Sequence, residues 1–121
     1  MLQGVQIDLI SEERLSRLTP MEKIRLILDD VKEGNIVVLE KGLAPEEASK
    51  LIEMTMMEIN PEGFNGIEME TYPARDEGFG GFLGRLIGRR SEARMTVIGP
   101  ANQLKMLKKE KDLISAWVSS R

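Results

Sequence analysis

Acidic side chains near the ends of strand-like runs are the residues whose type and position could do chemistry. Asp8 and Glu40 lie near the ends of two apolar runs, where the sites of α/β proteins gather. Glu68 and Glu70 alternate along a third run and would share one strand face, where two carboxylates could bind a hard cation such as Mg²⁺. This pattern indicates either a small-ligand or Mg²⁺-dependent enzyme or, alternatively, ordinary surface acids on an edge strand.

The composition excludes several classes of reaction. The 121 residues contain no cysteine and no histidine, so they can form no disulfide, no Cys/His zinc site, no thiolate nucleophile and no serine–histidine triad. The Gly-rich segment does not end in Gly-Lys-Ser/Thr and is therefore not a P-loop. We find no pair of a nucleophile and a base, and we expect no cofactor.

The segment from Gly78 to Arg90 has a pattern that predicts a partner-binding arm. Its apolar residues recur at helical spacing, its glycines recur every fourth residue, and two arginines lie one turn apart. Because each internal glycine costs about 0.8–1.0 kcal/mol relative to alanine, the helix should be weak, mobile when free and ordered on contact. The residues predicted to bind a partner are Phe79, Phe82, Leu83, Arg85, Leu86, Arg89 and Arg90.

Other roles for this arm stay open. The run from Gly81 to Gly84 matches the bare Gly-x-x-Gly of RNA-binding KH domains. The amphipathic pattern also fits a membrane-surface helix, although a single short helix binds a membrane only marginally. A small ligand is a further alternative. The simplest alternative is a hairpin loop whose phenylalanines pack back on the domain.

Charge is distributed unevenly along the chain. Residues 1–72 carry a net charge of −8 and residues 73–121 a net charge of +5, which indicates an anionic partner or attraction between the halves or between subunits. A basic face contacting RNA or another anion would be salt dependent. Besides the arginines of the arm, its predicted members are Arg94, Lys105, Lys108 and Lys109.

The periodicity predicts one compact α/β domain over residues 1–121, with βαβ units and helices packed on a mixed sheet. Four strands are expected at 5–10, 36–40, 66–72 and 94–98, with 36–40 and 94–98 in the interior. The last two would form a long hairpin with the arm, about 74–93, at its tip. Helices are predicted over 20–33, 45–59 and 101–109, whereas 113–118 could be helix or strand.

The helix over 45–59 has apolar residues on more than one side. Its predicted inner stripe consists of Ala48, Leu51, Ile52, Thr55 and Ile59. Met54, Met56 and Met57 widen the apolar surface and would either fill the core or bind a partner, since methionine adapts its shape.

Short stretches across nearly the whole chain resemble a small archaeal domain-of-unknown-function family. They include Gly4 to Leu15, Glu68 to Pro73 and Met95 to Pro100. The genes of that family often stand beside genes for an Era-like GTPase and a zinc-ribbon protein. The resemblance implies an archaeal protein that works with the GTPase, and it supplies no catalytic residues.

Taken together, these patterns favour a non-enzymatic accessory protein that docks a GTPase or a ribonucleoprotein through the arm and the basic half, with RNA or the ribosome as a possible partner. The alternatives are the carboxylate-dependent enzyme and a homo-oligomeric structural protein. No apolar run approaches the roughly 20 residues that span a bilayer, and nothing resembles a signal peptide. We therefore expect a cytoplasmic location and no membrane partner.

Overall fold

A computed structural model describes residues 5–73, 78, 81–83, 94–101, 103–109 and 116–120. It contains the strands β1 (Val5–Ile10), β2 (Ile36–Leu39), β3 (Ile67–Tyr72), β4 (Met95–Pro100) and β5 (Ala116–Ser120). The helices are α1 (Glu12–Ser16), α2 (Pro20–Lys32), α3 (Pro45–Met57) and α4 (Gln103–Lys109). The side chains of Val5, of β5 and of residues 107–109 lie outside the description.

The strands form one mixed sheet in the order β3-β4-β2-β1-β5. β1 is parallel to β2 and to β5, whereas β4 is antiparallel to β2 and to β3. The predictions of an α/β fold, of a mixed sheet and of interior positions for β2 and β4 are confirmed. The end of the chain, left open between helix and strand, forms the fifth strand.

β3 and β4 form the predicted hairpin. Ile67 pairs with Pro100 at one end, and Tyr72 pairs with Met95 at the other. Gly66, with a φ of 114°, precedes β3 and accepts a 2.9 Å hydrogen bond from the backbone N–H of Ala101. The predicted mobile arm at the tip of the hairpin lies mostly outside the described residues.

Helices cover both faces of the sheet, which explains why every residue of β2 is buried. One face packs against α1, α2 and α3, and its buried cluster includes Ile10, Leu28, Val37, Leu39 and Leu51. The opposite face packs against α4 and the helical residues 81–83, and its cluster includes Ile7, Ile36, Val38, Leu83 and Leu104.

The start of α2 follows its local sequence. The Thr19 hydroxyl accepts a hydrogen bond from the backbone N–H of Glu22 at 3.2 Å, and the Glu22 carboxylate accepts one from the backbone N–H of Thr19 at 2.9 Å. This reciprocal pair satisfies two N–H groups that the helix leaves without partners. Gly34, with a φ of 92°, follows the helix as predicted.

The predicted inner stripe of α3 is only partly correct. Leu51 and Thr55 are buried, but Ile52 and Ile59 are 46% and 47% exposed. Met54 packs partly against the core, whereas Met56 and Met57 are exposed. The helix ends at Met57, before Ile59. The assignment of Ile52 and Ile59 to the core was wrong because Ile52 lies on the exposed side of α3 and Ile59 lies beyond the end of the helix.

Within the described part of the chain, no helix combines the length and the apolar character needed to cross a bilayer.

Candidate functional site

Two sets of ion pairs hold α2 and α3 side by side. Near the start of both helices, the Lys23 ammonium lies 2.9 Å from the Glu47 carboxylate. The hydrogen bond from Lys23 lowers the pKa of Glu47 from its ordinary value, against the opposing effect of burial. At the end of α3, the Glu58 carboxylate forms ion pairs with the Arg25 guanidinium at 2.7 Å and with the Lys32 ammonium at 2.8 Å. Hydrogen bonds from these two cations lower the pKa of Glu58 to about 2.

This pairing leaves the opposite side of α3 exposed. With 3.6 residues per helical turn, Ile52 lies about 140° around the helix from Glu47, and the buried Leu51 and Thr55 lie between them. Ile52 and Met56 lie about one helical turn apart on this side of α3, and Ile59 follows the end of the helix; all three are exposed. We call these three residues the α3 flank.

The α3 flank ends close to the residue that precedes β3. A terminal carbon of Ile59 lies 3.9 Å from the position that a β-carbon would take on Gly66, immediately before β3. β3 is the end strand of the described sheet, and its ladder in the described residues runs to β4 alone. Ile59, at the end of the α3 flank, therefore lies near the start of β3, and we call the α3 flank and the outer edge of β3 together the edge surface.

Glu68 and Glu70 lie on the face of β3 that points away from α3. Ile67 and Met69 pack against the cluster beneath α3, whereas Tyr72 packs against the cluster on the opposite face, as the alternation predicts. The Tyr72 hydroxyl donates a hydrogen bond to the Glu70 carboxylate. Among the described residues, no group of three or more His, Cys, Asp or Glu side chains is placed to hold a metal ion.

The carboxylates predicted near strand ends form hydrogen bonds with other groups of the protein. Asp8 is fully buried within β1 and accepts a 2.9 Å hydrogen bond from the Gln6 side chain. Glu40 follows β2 and accepts a 3.3 Å hydrogen bond from the backbone N–H of Glu12, so it caps the start of α1. Neither side chain lines the cleft that opens nearby.

A cleft of about 410 Å³ lies where β1 and β2 end and α1 and α3 begin. Its charged groups pair with one another, since Lys23 lies 2.9 Å from Glu47 and Lys41 lies 3.3 Å from Glu12. Its remaining lining residues are Leu15, Ser16, Gly42, Leu43 and Ala44. The Ser16 hydroxyl donates to the backbone oxygen of Glu13 at 2.7 Å rather than to a base. The described lining thus contains no activated nucleophile.

The residues predicted to bind a partner are described only in part. Leu83 is fully buried, and Phe82 packs against the same cluster. Phe79, Arg85, Leu86, Arg89 and Arg90 lie outside the described residues, so their predicted role stays a prediction.

The predicted basic face is likewise described in part. Arg94 and Lys105 are exposed, whereas the side chains of Lys108 and Lys109 on α4 lie outside the description. Arg94 precedes β4, and α4 begins beyond the opposite end of that strand. There, the β-carbon of Leu104 lies 3.9 Å from the position that a β-carbon would take on Gly99. Roughly 16 Å of strand therefore separates Arg94 from the start of α4.

Sequence reasoning did not identify the α3 flank as one surface. It placed two of the three residues in the core, although it noted that methionines such as Met56 could bind a partner. The available signal was the width of the apolar pattern, because apolar residues occupy more of the helix circumference than one buried stripe needs.

Comparison with known proteins identifies one family. The family described as origin-associated protein OapB matches the chain over residues 15–119. This match overturns the resemblance to the archaeal domain-of-unknown-function family, which was wrong. No curated protein and no solved structure matches the chain.

Proposed function

The chain belongs to the family of origin-associated protein OapB, and from this premise we propose that it is a non-enzymatic accessory protein that binds another protein through the edge surface. The family description says that OapB is origin-associated, and we propose the same association for this chain. The chain would act by holding its partner there rather than by transforming a substrate.

The observation that carries this proposal is the α3 flank. Ile52 and Met56, on a helix that ion pairs join to α2, are 46% and 65% exposed, and Ile59, just beyond the end of that helix, is 47% exposed. A contiguous exposed apolar stripe next to a sheet edge is typical of a protein-binding surface. Because α3 is held in place, little conformational entropy is lost when the stripe is covered.

The chemistry of the described clefts also supports a binding role. The lysines and glutamates that could act as acids or bases pair with one another across the cleft where β1 and β2 end. The pKa of Glu47 is lowered rather than raised toward neutrality, so this carboxyl is unsuited to general acid catalysis at neutral pH.

The first test is capture of a partner by the tagged chain from extracts of its source cells, with and without RNase. Wild type is compared with Met56→Glu and with the control Met21→Glu, which alters a methionine that is 48% exposed outside the α3 flank. Placing a charge in the centre of an interface should lower recovery by about tenfold or more. The control should retain the partner. Equal recovery by the two variants would refute the proposal.

The arm remains a second proposed contact for a GTPase or a ribonucleoprotein. It is supported by the arginines of the sequence and by the net charge of +5 over residues 73–121. Charge reversal at Arg85, Arg89 and Arg90 should abolish that association and leave the fold intact. Unchanged association would refute the proposal of this second contact. A partner that is captured without RNase but lost when RNase is added would indicate that the contact depends on RNA.

A further inference from the structure

We propose that Met56 is a site of reversible oxidation, at which a peroxide converts the thioether to a sulfoxide and thereby weakens binding of a partner to the α3 flank. The consequence for binding rests on the proposed function, since the α3 flank is the surface concerned. The oxidation itself can be measured on the chain alone.

The sulfur atoms of this chain all belong to methionine, since the 121 residues include eight methionines and no cysteine. A peroxide therefore meets no thiolate that would compete for it. Among the methionines that the structure describes, those with exposed side chains are Met21, Met56, Met57 and Met106. Met56 and Met57 are the most exposed of the four, at 65% and 78%. The end of α3 is therefore the most accessible of the described targets for oxidation.

Two other methionines are shielded by the fold. Met54, also on α3, packs partly against the core, and Met95 on β4 is only 5% exposed. Oxidation of a buried thioether requires the structure to open locally and then disrupts packing. Oxidation of Met56 requires no opening, and the ion pairs that join α3 to α2 do not involve its side chain. The fold should therefore stay intact when Met56 is oxidised.

The reaction balances with hydrogen peroxide as the oxidant. A lone pair of the Met56 sulfur attacks one peroxide oxygen, an S–O bond forms, and the O–O bond breaks. The departing hydroxide takes the proton of the transferred hydroxyl group and leaves as water. The sulfur loses two electrons and the peroxide gains them. A methionine sulfoxide reductase reverses the reaction with a dithiol, which becomes a disulfide while the sulfoxide oxygen leaves as water.

A sulfoxide changes the middle of the α3 flank from apolar to polar. Along the chain, Met56 lies between Ile52, about one turn earlier, and Ile59, just beyond the end of the helix. A partner that covers this stripe would bury the sulfoxide oxygen, and burial of a polar group without a hydrogen-bond partner is unfavourable. In the free chain the same oxygen stays hydrated. Oxidation should therefore weaken the complex without weakening the fold.

Met57 distinguishes the position of a sulfoxide from oxidation as such. It is more exposed than Met56, so a peroxide reaches it at least as readily. With 3.6 residues per turn, Met57 lies about 140° around α3 from Ile52, whereas Met56 lies about 40° from Ile52. A sulfoxide at Met57 would thus lie outside the α3 flank. Loss of binding should follow oxidation of Met56 alone.

The first experiment treats the full chain with hydrogen peroxide and follows each methionine by tandem mass spectrometry. Met56 and Met57 should gain oxygen at similar rates and Met54 more slowly. Met95 should react at least about tenfold more slowly than Met56, because its reaction requires opening of the fold. In concentrated urea these differences should vanish. The chain oxidised at Met56 and Met57 should keep its urea unfolding midpoint. Equal rates for Met56 and Met95 in the folded chain, or a lowered midpoint, would overturn the proposal.

The second experiment measures capture of the partner from extracts of the source cells by wild type, Met56→Leu and Met57→Leu. Leucine is close to methionine in volume and has no sulfur to oxidise. The tagged chain alone is oxidised and freed of peroxide, and each variant is compared with its own untreated sample. Oxidation should lower recovery by about fivefold or more for wild type and Met57→Leu, but not for Met56→Leu. Methionine sulfoxide reductase with dithiothreitol should restore it. Equal losses for the two variants would contradict the assignment to Met56.

The outcomes separate this inference from the proposed function. If oxidised and untreated wild type capture the same partner equally well, the protein-binding role stands and the oxidation site has no effect on binding, which overturns the inference. If untreated wild type captures no partner, the proposed function fails and the effect on binding fails with it. The order of oxidation among the methionines is still decided by the first experiment.

Discussion

Glu58→Gln tests whether the ion pairs that join α2 to α3 hold the α3 flank in place. A pKa of about 2 instead of the ordinary 4.5 corresponds to roughly 3 kcal/mol if the whole shift reflects folding. The Glu58 side chain is 23% exposed, and Arg25 and Lys32 are 38% and 37% exposed. Because solvent screens such pairs, we expect the substitution to lower the free energy of unfolding by about 1 kcal/mol at neutral pH.

The pH dependence of this loss has a defined sign. Glu58 has a lower pKa in the folded than in the unfolded chain, so its contribution is fully present above the ordinary value of 4.5. It is lost as the pH falls from 4.5 through about 2, and only below about 2 is the carboxyl protonated in both states. The difference between wild type and Glu58→Gln should therefore shrink toward zero over this range. Urea unfolding at several pH values measures it.

The matched control for Glu58→Gln is Glu53→Gln. Glu53 lies on the same helix, is 60% exposed and is 3.6 Å from Lys50, so its loss should cost less than about 0.5 kcal/mol. High salt should also reduce the effect at Glu58. A loss for Glu58→Gln that is as large at about pH 2 as at neutral pH would refute the electrostatic explanation.

Two other predictions concern packing and are measured by urea unfolding. Leu51→Ala should cost about 2–5 kcal/mol because Leu51 is fully buried, whereas Ile52→Ala should cost well under half as much because Ile52 is 46% exposed; equal losses would contradict the orientation of α3. Gly42→Ala should cost about 1–3 kcal/mol, because its β-carbon would lie 2.8 Å from the Thr96 hydroxyl oxygen. The control Gly63→Ala, with its nearest atom at 3.9 Å, should be nearly neutral, and adding Thr96→Ala should relieve the loss at Gly42. Absence of that relief would exclude the close contact as the cause.

Local patterns predicted much of the fold. Thr19 and Glu22 form the expected capping pair because both partners lie within one helical turn. β2 was expected inside the sheet because its four residues are apolar without alternation, and all four are buried. The alternating acids of β3 indicated an edge strand, and β3 stands at the edge of the described sheet.

The candidate site was less predictable. The sequence pointed to methionines on α3 but assigned Ile52 and Ile59 to the core, because an apolar pattern does not record how many neighbours a helix has. It pointed to Asp8 and Glu40 as site residues, whereas in the fold one is buried within a strand and the other caps α1. Both corrections depend on contacts between residues far apart in the chain.

The sequence by itself determined which chemistries are excluded, the positions of most helices and strands, and the alternation of β3. These properties depend on residue type and on contacts within one or two turns. Only the tertiary structure decided the strand order, the fifth strand, and the exposed side of α3, because these depend on which distant segments pack together. The ion pairs between α2 and α3 join residues that are 24 to 33 positions apart. They lie on the side of α3 that faces α2, while Ile52 and Met56 are exposed on another side of the helix.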